Sequence, residues 1–197
     1  TLLSYSGTAS GGTVNYRYTL SATIDNDSKA GATLTEFDDS VTITVNGVGG
    51  TSGSDQLIVR IVDDTPTAKD ENGGSVTEDV AGSLNGNVLS NDTDANSDPL
   101  TVTQITVGGT VHTIAPGGST SVVLPGYGTI TVGSTGAYTF TPVADWNGSV
   151  PAIGYSVTDG NAGGSANATL TLTVTPVVDI ANDSVSTHAG VPVSIPV

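Results

Sequence analysis

The feature that most constrains this chain is a match with itself: residues 57–70 and residues 170–183 carry the same pattern 113 residues apart. In residues 57–70, LIVRIVDDTPTAKD, Leu57, Val59 and Ile61 alternate with residues suited to solvent, the period of a half-buried strand. Asp63-Asp64-Thr65-Pro66 ends that strand, because proline cannot donate to a ladder and acidic turn residues favour reversal. Thr67 then opens a new strand. Leu170, Leu172 and Val174 repeat the alternation, Pro176 and Asp179 break it, and Ala181-Asn182-Asp183 matches Ala68-Lys69-Asp70. Upstream, Asn46-Gly47 falls on Asp159-Gly160 at the same spacing. A spacing that holds across a strand, a hinge and a turn marks an internal repeat. It is too long for a solenoid and suits a whole sandwich domain of roughly 100 residues. The chain reads as a slice of domains strung end to end.

Three segments follow. Residues 1–64 are the C-terminal part of one sandwich, or a short one. Residues 65–177 are a complete domain, and residues 178–197 are a hinge and the first strand of a third. Counting back one period from Pro66 places the start of the first domain about 47 residues before Thr1. Its front is therefore missing, or it is shorter than its neighbour, or an inserted module interrupts it. Strands are predicted at 2–6, 13–22, 40–45 and 57–62, with a polar loop over 23–37. In the second domain they are predicted at 66–70, 74–77, 83–88, 100–107, 110–114, 121–124, 128–132, 136–141, 153–157 and 168–174. Turn signals such as Gly108-Gly109, Pro116-Gly117-Gly118 and Asn147-Gly148 separate them. No stretch carries a helical stripe, and many short strands with regular turns predict an all-β fold of antiparallel sandwiches. Trp146, the one tryptophan, is expected to pack at a sheet end.

Charge narrows the partners. Four Lys and Arg stand against 19 Asp and Glu, a net −15. Nucleic acid and anionic membranes need basic surfaces, so both are excluded as partners. The excess acid serves solubility in a salty medium, or it binds divalent cations. Clustering of the acids in loops without basic neighbours favours cations. There are no cysteines, so no disulfide or thiolate metal site exists, and a small extracellular domain needs another staple, for which calcium is the candidate. No apolar run is long enough to span a membrane.

Three stretches bring a family into view: NVLSNDTDANSDPLTVTQITVGG, then GTITVGSTGAYTFTPVADWNG, then YSVTDGNAGGSANATLTLTVTP. Their order resembles the cadherin-like and VCBS-type tandem repeats of giant type I-secreted bacterial adhesins, the RTX adhesins, and IVDDTPTA resembles their interdomain junctions. The resemblance covers most of residues 40–190. It implies Ig-like or cadherin-like β-sandwiches in tandem, stiffened by calcium, at the bacterial outer surface, with a role in adhesion or biofilm formation. The family's nonapeptide repeats are absent. Residues 49–57 come within one residue of that pattern, and a single copy reads as a turn before a strand.

The candidate ligands are acids and amides. Asp92, Asp94 and Asn96, with Asp98, alternate along residues 91–98, so their oxygens can converge on one hard ion. The spacing fits the first three positions of an EF-hand loop, but Ser97 stands where glycine is needed and Thr103 where the bidentate glutamate should be. The remaining ligands must come from elsewhere. In a cadherin-like arrangement Asp63 and Asp64 of the hinge meet Glu78, Asp79, Asp159 and Asn161. By repeat logic Asp179, Asn182 and Asp183 serve the next hinge. A third set, Asp25, Asp27, Glu36, Asp38 and Asp39, has no motif.

Catalysis has little to rest on. Only His112 and His188 are present, no GxSxG or HExxH occurs, and no carboxylate pair is singled out. An isopeptide crosslink would have to use Lys29 or Lys69, both in polar stretches. The expected function is therefore not enzymatic. It is a calcium-stiffened extender of a secreted surface adhesin, monomeric, with neighbouring domains of the same long chain as partners. A distal module would contact the target glycan or protein. The alternative is a glycan- or peptide-binding module of the same adhesin, and the least supported reading is an accessory domain of a polysaccharide-degrading enzyme.

Overall fold

The computed structural model describes residues 1–8, 11–21, 36–79, 82–161, 164–178 and 188–192. Every regular element among them is a β-strand. In the first part β1 (Leu2–Thr8) pairs with β2 (Gly11–Tyr16), and β3 (Glu36–Asn46) pairs with β4 (Ser52–Val62), both antiparallel. Phe37 lies opposite Ile61 and Val41 opposite Leu57, so the alternation read from the sequence places these apolar residues on one face.

The second part holds two facing sheets. The four-stranded sheet runs β6 (Leu84–Asn87), β11 (Ala137–Pro142), β10 (Gly128–Gly133), β9 (Ser119–Leu124). The six-stranded sheet runs β12 (Gly148–Ser149), β14 (Ser165–Thr175), β13 (Ile153–Thr158), β7 (Thr101–Val107), β8 (Thr110–Thr113), with β5 (Glu71–Thr77) also on β14. The β5–β14 pairing is parallel. Alternate residues of both sheets point inward and close one core around Phe140, Ile130, Val132, Ile105, Ile153, Val157, Leu170 and Val174. Burying each such side chain contributes about 1.5–3 kcal/mol. This is the antiparallel β-sandwich that the sequence predicts. Trp146 packs against the core edge-on to Tyr127, at 4.9 Å between ring centroids.

The repeat is present in the backbone. β4 and β14 have bounds 113 residues apart at both ends. The hairpins differ by one residue of register: Leu57 faces Val41, whereas its counterpart Leu170 faces Ile153. The connecting turn is one residue shorter in the first hairpin, 47–51 against 159–164. Because a one-residue slip moves side chains to the other face, the shorter turn keeps the apolar residues of β3 on the same side as those of β4.

Four readings need correction. Residues 66–70 are not a strand: Thr67 makes a single bridge to Thr93, and the Lys69 amide donates instead to Asp92 (2.7 Å). The strand predicted over 13–22 is β2, which ends at Tyr16, and β3 begins at Glu36, inside the stretch read as a loop, because its ladder with β4 extends to Val62. The two-residue β12 is too short to have a periodicity and was not predicted. Lys29, Asp25 and Asp27 lie outside the described residues, as do Asp179, Asn182 and Asp183.

Candidate functional site

Three segments meet where β4 leads into the sandwich: the hinge at Asp63 and Asp64, the loop 91–98, and the turn 159–161 after β13. Each is shaped by its own acids. In the long loop Asp94 Oδ1 accepts from the amides of Asn96 and Asp98, both at 3.1 Å. This local turn holds Ser97 at a left-handed φ of 75°, a conformation uncommon outside glycine, asparagine and aspartate. In the short turn Asp159 Oδ1 accepts from the Asn161 amide at 2.9 Å. The pieces are then tied together: Asn161 Nδ2 donates to Asp98 Oδ2 (2.8 Å), and the Ala95 amide donates to Asp64 Oδ2 (3.1 Å).

Asp63 sits at this junction, 8% exposed. Among the described residues neither of its carboxylate oxygens has a partner of good geometry. Asp94 Oδ2, Asn91 Oδ1 and both polar atoms of the Asn96 amide are likewise buried and unpartnered. Buried polar atoms are nearly always paired, so a local group of orphans calls for an explanation. The electrostatics agree: burial first, then the charges of Asp159, Asp64 and Asp98, push the Asp63 carboxyl above the ordinary carboxylate range, with only slight relief from the Asp64 amide.

Asp92 does not join this group. Its carboxylate takes the Lys69 amide and lies 3.4 Å from the Tyr155 hydroxyl. That hydroxyl donates to the Lys69 carbonyl (2.8 Å), with the Val88 carbonyl also within reach at 3.0 Å. Burial, then the nearby Asp92 charge, pushes the Tyr155 phenol up. Asp92 therefore fastens the start of the domain to the sheet.

Glu78 and Asp79 are also elsewhere. β5 runs parallel to β14, so Thr77 ends beside Thr175 at the far end of the sandwich. There Glu78 is 3% exposed and satisfied. It accepts from Asn147 Nδ2 at 3.1 and 3.2 Å and from the Val177 amide at 2.8 Å. Asp79 Oδ1 accepts from the Asp145 amide at 3.0 Å, with both residues left-handed. The hinge grouping is thus corrected: Asp63, Asp64, Asp159 and Asn161 gather with Asp94, Asn96 and Asp98 at the entrance, and Glu78 and Asp79 hold the exit. Asn147, which clamps Glu78, carried no signal beyond a turn. In the third set, Arg60 pairs with Glu36 (3.4 Å) and Asp38 (3.0 Å), and Asp39 accepts from the Tyr18 hydroxyl (2.8 Å). Those acids are taken up within the first part.

The entrance donors are carboxylate and amide oxygens, which suit a hard cation such as calcium and not one that selects thiolate or imidazole. Among the described residues no three acidic or imidazole side chains are already closed into a metal cage. The orphaned oxygens of Asp63, Asp94 and Asn96 make the donor set chemically apt, and amide oxygens, which such cages include, supply part of it. A family model for the bacterial cadherin-like domain matches residues 63–176. No curated protein matches the chain. The matched span starts at Asp63, so it takes in the hinge acids, the entrance loops and the exit clamp.

Proposed function

The chain belongs to the bacterial cadherin-like domain family, and from that premise we propose that it is a calcium-stiffened extender segment of a large secreted surface adhesin of the RTX type, serving cell adhesion and biofilm formation. Domains of this family are structural and adhesive modules. The proposed division is 1–64, 65–177 and 178–197, with the central unit complete.

The observation that carries the reading is Asp63, a buried hinge carboxylate with both oxygens unpartnered. Asp63, Asp64, Asp94, Asn96, Asp98, Asp159 and Asn161 would hold the ion. Calcium supplies the positive charge that offsets their repulsion. With that repulsion removed, hinge and loops are fixed to one another and the angle between neighbouring domains is restrained. Asp179 and Asp183 would act at the next hinge.

The topology supports a load-bearing role. β5 and β14, the first and last strands of the unit, are parallel neighbours with five paired positions. A pull on the two ends shears these pairs together instead of opening them one by one. The test is small-angle scattering with millimolar calcium and with a chelator. A longer and more uniform particle in calcium supports the extender, and identical profiles overturn it.

A second reading, a glycan-binding module, has one observation in its favour. A polar hollow of about 340 Å³ lies on the six-stranded sheet, lined by Asp70, Gln104, Thr106, Ser156 and Asn167, with Gly154 leaving its floor open. Specific retention of one sugar class on a glycan array would move this reading ahead.

A further inference from the structure

We infer that the second edge of β4, over residues 57–62, is the docking edge for an extended strand of the β5 type running parallel to it. β4 and β14 correspond residue for residue. β14 is paired on one side with β13 and on the other with β5. β4 is paired with β3 and, among the described residues, with no second strand. An open edge is a row of backbone donors and acceptors ready to take another strand.

The counterpart interface gives the register. β5 pairs with Leu170, Thr171, Thr173, Val174 and Thr175, whose equivalents are Leu57, Ile58, Arg60, Ile61 and Val62. Burial shows what is lacking. Leu170 is 1% exposed, whereas Leu57 is only half-buried, and Ile58 is 57% and Val62 67% exposed. Beside Leu57, an apolar hollow of about 250 Å³ lies between Val14, Tyr16, Val41 and Ile43. The first hairpin pair thus has the geometry of a sandwich whose edge and part of whose interior are unfilled.

The occupant is the first strand of this same unit, upstream of Thr1. The repeat spacing places it about 40 residues before Thr1. Its chemistry follows from β5. It is extended, and it carries glycine where it crosses β4, since a methyl at Gly73 would run into Leu172 and Tyr138. It ends in small or β-branched residues like Ser75-Val76-Thr77. This inference uses no cation, so failure of the calcium reading leaves it standing.

The test supplies a surrogate in cis. Residues 68–79 are fused before Thr1 through a flexible Gly/Ser linker of about 20 residues, long enough to cover roughly 25 Å. Amide hydrogen exchange is compared with a fusion carrying the scrambled segment. The expected result is exchange at residues 57–62 slowed about tenfold by the true segment alone. Exchange at β14, unchanged throughout, reports that the protein is folded. Equal exchange in both fusions overturns the inference. So does protection already present without the fusion: if independent of concentration, other residues of the chain cover the edge, and if it grows with concentration, a second copy does.

Discussion

At the scale of single residues, Asp63 carries the most consequence. With no cation its buried charge is a cost, and an unsatisfied buried polar group costs about 1–3 kcal/mol. Asp63→Asn should therefore raise the melting temperature in chelator, by about 4 °C for 1 kcal/mol, and remove most of the gain given by calcium. Thermal melts of both proteins in both conditions check this. The pH dependence has a definite sign. The folded-state pKa of Asp63 is raised, so the folded protein holds the proton more tightly than the unfolded chain. This group's contribution is most favourable below the unfolded carboxylate value and is lost as pH rises through the raised one. Asp63→Asn should flatten that part of the stability profile in chelator. Tyr155→Phe removes the donor to the Lys69 carbonyl and should destabilise by about 1–2 kcal/mol, read from chemical denaturation. The sequence displayed Asp63, Asp94 and Asn96 as candidates because alternation and hinge position are local signals. It did not separate Asp92 from them, because the group that claims Asp92 is the Lys69 amide, 23 residues away.

At the scale of elements, alternation located most strands and failed where another force decided. Residues 66–70 have strand composition, yet Asp92 takes the Lys69 amide and only Thr67 bridges. Glu78 was grouped with the entrance because local pattern contains no information on a parallel pairing about 100 residues apart. That pairing alone carries Glu78 to Asn147 and Val177 at the exit. Two glycines test the packing of the elements. A methyl at Gly128 would meet the Thr141 carbonyl and the Phe140 ring. Gly128→Ala should cost about 1–3 kcal/mol, seen as a lower urea midpoint at unchanged slope. Gly73→Ala should push β5 away from Leu172 and lower the force at which single molecules unfold when pulled by their ends. An unchanged force would mean that β5 and β14 do not bear the load.

For the whole molecule, the repeat spacing was the most informative line of the sequence, since it fixed domain size and order before any strand was assigned. The account centres on calcium holding hinge and loops together. Its most direct test is thermal unfolding in 10 mM calcium against chelator. Extracellular calcium modules bind with Kd near 10⁻⁴ to 10⁻³ M, so 10 mM is about 100 times Kd at the tight end. That excess stabilises by about 2.7 kcal/mol, or about 10 °C. A rise of this order, absent in Asp63→Asn, is the expected result. The same melting temperature with calcium and with chelator would contradict the account and leave the entrance acids as solvated turns.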